Sequence, residues 1–457
     1  MITLRITEAL HNQLSDVAAG PMETGAVLLA HLVGADSARP ALIGRELIEV
    51  PDAAYEVRTD QSLQISSDGY VHALKRARDI GAVAIWVHSH PGELAIPRPS
   101  RHDAVVNQQL EELFGDRTES GFYAYLVVSH LRGQLAFTGA ATGTVSAPIA
   151  RIAAVGDLWR FMHSFDSAEK DTDPLFDRHI RAFGGGIQKA ISELTVAVVG
   201  AGGTGSAVAE QLVRLGVRDI TLIDPDHLSL SNTTRVYGST PRDVGRPKVE
   251  TLGEHLGRIA DGVQVHTLHG SILEEAVFRE LLTMDIVFGC TDDDAGRLRL
   301  SRLPYYYLIP VIDCGVQIPS DTSGQIVGIY GRVTTMYPGT ACLVCRDRVD
   351  LARADAEMRA EADQERLARE AYAPSLVGVE ASVVAFTSMV GATVVSEFIE
   401  RLVGHGERPS PTELVLYIHD RQVRGNSSAP RPRHYCDGDN RFFSPDTERL
   451  VGMNWDR

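Results

Sequence analysis

Short apolar runs that alternate with helix-like segments dominate the second half of the chain. Residues 196–199 (VAVV) form an apolar run typical of a buried parallel strand, and the segment AVAEQLVRLGV at 207–217 is typical of a helix. The alternation continues downstream with the runs DITLID, VQVHTL, MDIVFGC and IPVIDCGV. This pattern predicts an α/β fold with a mostly parallel sheet, right-handed crossovers and a site at the carboxyl ends of the strands.

Four glycines lie between the first of these strands and its helix. Gly200, Gly202, Gly203 and Gly205 predict a turn without side chains, which lets phosphates approach the backbone and the positive end of the helix dipole. Asp224 ends the next predicted strand, where a carboxylate can bind a ribose. On its own this arrangement matches a dinucleotide-binding turn, and equally a plain glycine-rich turn of an α/β protein.

Polar residues downstream of the turn favour a nucleoside triphosphate. A site that binds ATP with magnesium and permits attack on the α-phosphate needs a carboxylate for the ribose, another for the metal, and Asn, Arg and Lys for the triphosphate charge. An NAD-dependent oxidoreductase, the alternative, leaves Arg235, Lys248 and Asp292 unexplained. The series supplies each required type: Asp224, Asp226, Ser231, Asn232, Arg235, Lys248, Thr291, Asp292 and Arg297.

Taken in order, the motifs GAGGTGS, DPDHLSLSNTTR, GRPK and GCTDDDAGR resemble the ThiF/MoeB/ubiquitin-activating adenylyltransferase family over about residues 176–425. Val236 stands where that family usually has Gln. The resemblance implies a Rossmann-like ThiF-type domain that uses ATP and Mg²⁺ to adenylate the C-terminal glycine of a ubiquitin-like or sulfur-carrier protein. It also implies catalytic roles for Arg235, Lys248 and Asp292.

The segment DRHIRAF occupies the position of an Arg-Tyr-x-Arg-Gln sequence in the resembled family. Arg178 and Arg181 match its two arginines, while His179 and Ala182 replace Tyr and Gln. In the family the second arginine reaches into the nucleotide site of a partner subunit. The resemblance therefore implies a homodimer to which Arg181 contributes catalytically; the alternative is an exposed helix arginine.

Residues 1–145 carry a second set of chemical groups. The strand-like run 83–87 is followed by His88 and His90, and two histidines at i and i+2 point to the same side, as zinc ligands must. Asp103 supplies a third ligand and leaves the open fourth position that a catalytic zinc requires. Glu23, at the start of another apolar run, supplies the carboxylate base of a metallopeptidase.

This set resembles the JAMM/MPN (Mov34-type) isopeptidase family, an α+β zinc hydrolase. The gap between His90 and Asp103 is about two residues longer than usual, and His102 is a rival ligand. The alternative is a set of histidines hydrogen-bonded in a core. The resemblance implies zinc ligation by His88, His90 and Asp103, general acid/base catalysis by Glu23, and stabilisation of the oxyanion by Ser100.

A chain of 457 residues should hold two or three domains, and the two family resemblances agree with this expectation. The segment 151–165 (RIAAVGDLWRFMHSF) predicts an amphipathic helix, and the apolar segment 381–399 predicts a buried helix, because Ser, Thr and Glu interrupt it. The predicted division is a JAMM/MPN metallopeptidase domain at 1–145, a linker with an amphipathic helix at 146–175, a ThiF-type adenylyltransferase domain at 176–430, and a C-terminal tail at 431–457.

Five cysteines in a chain of this length indicate a reducing cytosol rather than a disulfide framework. Cys342 and Cys345 have the spacing of half a structural zinc site, and the resembled family commonly pairs such a CxxC with another near the C-terminus. Here only Cys436 remains, with His434 or Asp439 as the fourth ligand. A structural zinc and free buried thiols both stay open.

The crossover segment 346–377, where thioester-forming activating enzymes carry their nucleophile, contains no cysteine. The two remaining cysteines, Cys290 and Cys314, end predicted core strands and are interpreted as packing residues. The sequence therefore favours adenylation without a thioester on this chain, with an unusual cysteine as the alternative.

The net charge limits the classes of possible partner, and the N-terminal sequence indicates the location of the protein. The net charge is −16, from 44 basic and 60 acidic residues, which argues against nucleic acid or anionic membrane as the main partner. The N-terminus has no signal-peptide core, which predicts a cytoplasmic protein.

The combined hypothesis is a bifunctional enzyme that acts on one flexible tail. Its peptidase processes or deconjugates a ubiquitin-like protein, and its second domain adenylates the bared glycine. The fusion of the two domains supports this hypothesis, because tethering raises the effective concentration of the shared tail. The adenylate passes to a conjugating enzyme in a bacterial ubiquitin-like pathway, or to a sulfur donor that makes a thiocarboxylate for cofactor biosynthesis. A binding module with an inert peptidase is a further alternative.

Overall fold

The computed structural model describes residues 1–164, 173–321, 323–359, 381–438 and 450–455. These residues divide into two compact units. We call residues 1–164 the N-terminal unit, and the described residues from 173 onward the C-terminal unit. Among the described residues, no helix has both the length and the apolar character that a membrane crossing requires.

Strands provide most of the N-terminal unit, and three α-helices pack against them. Its elements are β1 (Ile2–Thr7), α1 (Glu8–Ala19), β2 (Gly25–Val33), β3 (Ala41–Glu49), β4 (Tyr55–Arg58), β5 (Leu63–Ile65), α2 (Val71–Asp79), β6 (Val83–Ser89), α3 (Arg101–Thr118), β7 (Phe122–Leu131), β8 (Gln134–Gly143), β9 (Ala147–Val155) and β10 (Trp159–His163).

Seven of these strands form a closed sheet. The order is β1-β3-β2-β6-β7-β8-β9, and a parallel pairing of β1 with β9 closes it. Alternate residues of β2 face opposite sides: Leu28 packs in a cluster with α1, and Leu29 packs in a second cluster with α2 and α3. The same alternation puts Trp86 of β6 in the second cluster, and the next residue with that orientation is His88.

The amphipathic helix predicted at 151–165 is wrong, because this segment forms β9 and β10. The two strands pair antiparallel, and β9 also pairs in parallel with the edge of β1. Glu8 holds the turn between them, since its carboxylate accepts from the Asp157 amide (3.1 Å) and binds Arg160 (2.9 Å). The linker predicted at 146–175 is corrected accordingly: its first part belongs to the sheet of the N-terminal unit.

The C-terminal unit alternates helices and strands, as the apolar pattern predicts. Its elements are α4 (Asp177–Phe183), α5 (Gly185–Glu193), β11 (Thr195–Val199), α6 (Gly203–Leu215), β12 (Asp219–Ile223), α7 (Lys248–Leu256), β13 (Gln264–Leu268), α8 (Glu275–Glu280), β14 (Ile286–Gly289), α9 (Asp294–Leu300), α10 (Leu303–Tyr307), β15 (Val311–Gln317), β16 (Tyr330–Met336), α11 (Leu351–Glu357), α12 (Val384–Val403), β17 (Glu413–Tyr417) and β18 (Gln422–Asn426).

The sheet of this unit is mixed, with the order β13-β12-β11-β14-β15-β16-β17-β18. The first five strands run parallel, which confirms the parallel sheet expected from the apolar runs, and the last three extend it antiparallel. The predicted helix at 381–399 is confirmed as α12, which buries Val390, Val394 and Phe398. The carboxyl ends of the parallel strands therefore meet at one edge of the sheet, where the glycine turn follows β11.

Candidate functional site

A cleft of about 570 Å³ opens at the carboxyl ends of the parallel strands in the C-terminal unit. Such an edge is where ligands bind in open α/β sheets. The structure brings together there almost all residues that the sequence predicts for the nucleotide. The predicted residues that line the cleft are Gly200, Gly202, Gly203, Asp224, Asp226, Asn232, Arg235, Lys248 and Asp292.

The glycine turn needs its glycines for close packing. Gly200 has φ +95°, and a Cβ there would lie 2.6 Å from the Cys290 carbonyl oxygen. A Cβ on Gly205 would lie 1.7 Å from the Gly200 carbonyl oxygen, so Gly205 packs beneath the turn rather than lining the cleft. A Cβ on Gly202 would meet nothing within 4 Å. The turn therefore leaves open space at the N-terminus of α6, where backbone N–H groups can bind an anion.

Asp224 ties the glycine turn to the end of β12. Its carboxylate accepts hydrogen bonds from the backbone amides of Ala201 (2.6 Å) and Asp226 (2.8 Å). Burial raises the pKa of Asp224, and the nearby Lys248 ammonium opposes that rise. Lys248 Nζ lies 2.7 Å from Asp226 Oδ2 and 3.9 Å from Asp224 Oδ1. Asp224 thus has a structural role in the turn, besides facing the cleft.

Asn232 and Arg235 reach the cleft from a short turn after β12. The Asn232 carboxamide oxygen accepts from the Ser229 amide (3.2 Å), and Arg235 Nη1 donates to the Ser231 carbonyl (3.1 Å). A Cβ on Gly203 would lie 3.1 Å from Arg235 Cδ, so the arginine stem packs against the first residue of α6. The guanidinium is thereby held beside the helix N-terminus.

Asp292 is exposed in the loop between β14 and α9. Its neighbours fix that loop: Asp293 caps α9 by accepting from the Gly296 amide (2.5 Å), and Thr291 donates to Asp293. Asp294 is buried and lies 3.7 Å from Arg353. The predicted magnesium-side carboxylate therefore stands at the cleft on a well-anchored turn.

Helix α11 contributes cleft residues that sequence reasoning missed. Arg353 and Glu357 line the cleft and form an ion pair (2.7 Å). Glu357 also accepts from the Ala295 amide (2.8 Å), so it caps the first turn of α9 from outside. No motif in the charged segment RADAEMRAEADQERLARE marks these two residues, because only the packing of α11 on α9 brings them to the cleft.

Behind the cleft, Asp313 lies buried between two arginines. Arg332 Nη2 is 2.6 Å from its carboxylate and Arg297 Nε is 3.7 Å from it. Burial raises the pKa of Asp313, and both guanidinium groups act against that rise. Because Arg297 lines the cleft, its charge interaction with the buried Asp313 supports the cleft wall.

Arg181 is not among the residues that line the cleft of its own chain. It lies on α4, where none of the described residues is buried, and its exposed side chain pairs with Asp177 at 2.9 Å. A contribution from Arg181 would therefore come from a second copy of the chain, as the sequence resemblance implies.

In the N-terminal unit, His88, His90 and Asp103 converge. His88 Nε2 lies 3.2 Å from His90 Nε2 and 3.5 Å from Asp103 Oδ1, and His90 Nε2 lies 3.3 Å from Asp103 Oδ2. One donor atom from each lies within 4.8 Å of the others, while His102 is not part of this group. The buried Nδ1 of His88 has no hydrogen-bond partner among the described residues. Three converging donors of this chemistry fit a zinc ion.

Glu23 and Ser100 face the same small cavity of about 370 Å³, together with His90, His102 and Asp103. Burial raises the pKa of Glu23, and the two nearby histidines oppose that rise. Burial also acts to raise the pKa of Asp103, but hydrogen bonds with the histidines outweigh it and hold that pKa well below its usual range. The cavity thus combines a carboxylate of raised pKa with a group of metal-type donors.

Ser100 has a local structural role as the N-cap of α3. Its hydroxyl accepts from the Asp103 amide (3.1 Å), and its own amide donates to Asp103 Oδ2 (2.6 Å). This capping box fixes the Asp103 carboxylate toward the histidines. The oxyanion role implied by the resemblance stays a prediction, since the hydroxyl proton remains available to donate.

A second donor group lies in the C-terminal unit. His434 Nδ1 is 3.5 Å from Cys342 Sγ and 3.2 Å from Cys436 Sγ, and Cys345 Sγ is 3.5 Å from Cys436 Sγ. The contact between Cys342 and Cys436 lowers the pKa of Cys342 and raises the pKa of Cys436, so it favours a thiolate on Cys342. The structure places His434 beside the three cysteines, while Asp439 lies outside the described residues. The four residues fit a structural zinc.

The family model described as "ThiF family" matches residues 176–437. The chain is 28% identical over 242 residues to the molybdopterin-synthase adenylyltransferase of Escherichia coli (strain K12), covering 52% of this chain and 84% of that protein.

Two further relatives match shorter stretches. The sulfur carrier protein ThiS adenylyltransferase of Bacillus subtilis (strain 168) is 31% identical over 161 residues, which cover 35% of this chain and 45% of that protein. The ubiquitin-like modifier-activating enzyme 5 of Drosophila willistoni is 28% identical over 208 residues, which cover 42% and 47%. The matched family stretch begins at residue 176 and leaves the N-terminal unit outside it.

Proposed function

Because the chain belongs to the ThiF family, we propose that its C-terminal unit adenylates the C-terminal glycine of a ubiquitin-like or sulfur-carrier protein with ATP. The observation that carries this proposal is the convergence of Arg235, Lys248 and Asp292 with the glycine turn on one cleft. The names of the relatives support it, because they include adenylyltransferases that act in molybdopterin synthesis and on the sulfur carrier ThiS.

The reaction joins a carboxylate to the α-phosphate of ATP. An oxygen of the tail carboxylate attacks the α-phosphorus, a carbon–oxygen–phosphorus linkage forms, and pyrophosphate leaves with the electron pair of the broken bond. Arg235 and Lys248 offset the charge that develops on the triphosphate, and the N–H groups at the start of α6 bind its oxygens. Asp292 would hold Mg²⁺, which supplies further charge neutralisation to the leaving pyrophosphate.

Asp224 binds the ribose in this proposal. Two of its acceptor positions hold the amides of Ala201 and Asp226. A carboxylate offers about four acceptor positions, so capacity remains for a ribose hydroxyl. The same residue thus shapes the glycine turn and positions the nucleotide.

The direct test of this proposal is ATP–pyrophosphate exchange with a purified ubiquitin-like protein that ends in Gly-Gly, in the presence of Mg²⁺. We expect exchange that depends on the mature tail. No exchange with a mature tail and magnesium would contradict the adenylation proposal.

We place the adenylate in a bacterial ubiquitin-like conjugation pathway, with a conjugating enzyme as the acceptor. The peptidase that we propose below for the N-terminal unit supports this assignment, because conjugation needs processing and removal. The alternative is transfer to a sulfur donor, which the lack of a cysteine in the crossover segment 346–377 favours. Mass spectrometry of the tail separates the two, since a thiocarboxylate and a conjugate differ in mass.

For the N-terminal unit we propose a zinc-dependent peptidase that cleaves after the tail of the same kind of protein. Two donors of the group, His90 and Asp103, line one cavity with Glu23, and His88 completes the donor group; this arrangement supports the proposal. These three ligands would hold Zn²⁺, which supplies a Lewis acid for the scissile carbonyl. Glu23 accepts the proton of the attacking water and delivers it to the leaving amine.

Replacement of Glu23 by glutamine tests this role. We expect cleavage of a fusion that carries extra residues after Gly-Gly to fall by about 10²-fold or more, because the amide cannot transfer the proton. Bound zinc should stay at the wild-type level. Glu93→Gln is the matched control, since Glu93 is exposed nearby and does not line the cavity. Unchanged cleavage by Glu23→Gln would refute the general acid/base role.

If Arg181 acts in the cleft of a partner subunit, mixed dimers of two inactive variants should recover exchange. Because Arg181 is exposed on α4, we expect Arg181→Ala to lower exchange only by removing a group from the partner's cleft. Mixing Arg181→Ala with Lys248→Ala subunits should then restore about a quarter of wild-type exchange, since half of the dimers are mixed and each has one intact site. The two unmixed variants are the controls, and absence of recovery in the mixture would argue against a contribution in trans.

A further inference from the structure

Two cysteines that the proposed chemistry does not use lie side by side: Cys290 directly follows β14, and Cys314 lies in the middle of β15. Cys314 Sγ is 3.6 Å from Cys290 Sγ, and it also lies 3.5 Å from the Gly289 carbonyl oxygen. Neither forms a disulfide. The parallel register pairs Gly289 with Asp313, so the two cysteines are the next pair across the strands.

Both thiols line the cleft of the C-terminal unit. Cys314 is buried in the protein and Cys290 is half-buried, so a small molecule can approach the pair through the cleft. The other three cysteines contact His434 or one another in the zinc-type group. The sequence analysis interpreted Cys290 and Cys314 as packing residues, and their proximity follows only from the pairing of β14 with β15.

We propose that Cys290 and Cys314 form a dithiol modification site, which a small two-electron thiol oxidant such as a diazene converts to a disulfide that impairs the nucleotide cleft. The loss of adenylation rests on the function proposed above, whereas formation of the disulfide does not.

The chemistry balances with the oxidant as the electron acceptor. One thiol adds to the N=N bond and forms a sulfur–nitrogen bond. The second thiol attacks that sulfur, the sulfur–nitrogen bond breaks and the sulfur–sulfur bond forms. The two protons and two electrons leave on the resulting hydrazine. The hydrogen bond with Cys314 and burial raise the pKa of Cys290, so the reaction starts from thiols and is slower than at a cysteine of ordinary pKa.

The backbone allows this bond. Neighbouring strands lie about 4.8 Å apart, and a disulfide joins residues whose Cα atoms are about 4.4–6.8 Å apart. Side chains of residues directly opposite each other in a parallel pair lie on the same face of the sheet. The two sulfur atoms can therefore close the remaining gap without separating the strands.

Through Cys290 the disulfide affects two parts of the cleft, which are the glycine turn and the loop with Asp292. The Cys290 amide donates to the Val199 carbonyl (2.7 Å), and its carbonyl packs where a Gly200 side chain would stand. Asp292 follows two residues later. Because displacements of about 1 Å cost on the order of 10²-fold in a positioned reaction, a shift of Cys290 should lower adenylation by about tenfold or more.

Peptide mapping of the zinc-loaded full chain after diamide treatment tests the site. Free thiols are blocked with N-ethylmaleimide, and the protein is digested with trypsin without reduction. The cysteines then lie on separate peptides, 280–297 and 303–332. We expect these peptides to be linked, exchange to fall by about tenfold, and dithiothreitol to reverse both effects. Cys314→Ser should form no linked peptide and keep its own untreated exchange rate in diamide.

Separate maleimide adducts on the two peptides would overturn the proposal. A linked peptide with unchanged exchange would reject the effect on the cleft. If the untreated protein shows no exchange at all, the adenylation proposal fails, while the peptide map still decides whether the site exists. Cys290→Ser provides a second test if Cys314→Ser does not fold.

Discussion

Replacing Asp292 with alanine is expected to lower ATP–pyrophosphate exchange by about 10²-fold or more. The carboxylate stands exposed at the cleft on a loop that the Asp293 cap holds in place. Its loss removes the group that would hold Mg²⁺ against the leaving pyrophosphate, and removal of a single positioned electrostatic group costs about this much. Exchange is measured with the full chain, saturating Mg²⁺ and a mature Gly-Gly tail.

Two controls make the Asp292 result specific. The melting temperature of Asp292→Ala should match the wild type, because the side chain is exposed and the cap residue is untouched. His88→Ala should retain exchange, because His88 belongs to the N-terminal unit and is not among the residues that line the cleft. Exchange at the wild-type rate in Asp292→Ala would remove this residue from the mechanism, and loss in His88→Ala would show that the two units do not act separately.

The second large effect that we expect is a loss of thermal stability when the group Cys342, Cys345, His434 and Cys436 cannot hold a metal. Structural zinc contributes on the order of 10–16 kcal/mol in small zinc domains, and these donors join the segment after β16 to residues some ninety positions downstream. Cys342→Ser should therefore lower the melting temperature of the full chain by about 10 °C or more. Differential scanning calorimetry measures the shift.

Zinc content distinguishes the two metal groups. We expect about two zinc ions per chain, one for each donor group. His88→Ala and Cys342→Ser should each remove one, and only the second should destabilise the C-terminal unit. Cys290→Ser is the matched control, since Cys290 lies outside the donor group and is only half-buried. A wild-type melting temperature and zinc content in Cys342→Ser would show that these cysteines are free buried thiols.

Local patterns in the sequence were enough to predict most of the residues that meet at the cleft of the C-terminal unit. The glycine turn, the carboxylate at the end of β12 and the loop with Asp292 each follow a strand within a few residues. Because parallel strands end at the same edge of a sheet, the strand order brings these loops together once the strands are recognised. His88 and His90 were predictable for a similar reason, since residues at i and i+2 of a strand share a face.

Long-range pairing produced what the sequence analysis missed. The segment 151–165 has an apolar pattern compatible with a helix, but β1 offers an edge with unpaired backbone groups. Residues 151–155 pair there as part of β9, and β10 then pairs with β9. Glu357 and Arg353 reach the cleft because α11 packs on α9, and the charged segment that carries them has no motif.

By itself, then, the sequence determined the α/β order of the C-terminal unit, the chemistry at its sheet edge and the types of residue in both metal groups. Only the tertiary structure decided that His434 completes the cysteine group, that β9 and β10 complete the closed sheet, and that Cys290 meets Cys314. The reason is physical: short motifs act through neighbouring backbone geometry, whereas these contacts join residues from about 25 to 150 positions apart and depend on which strands and helices pack together.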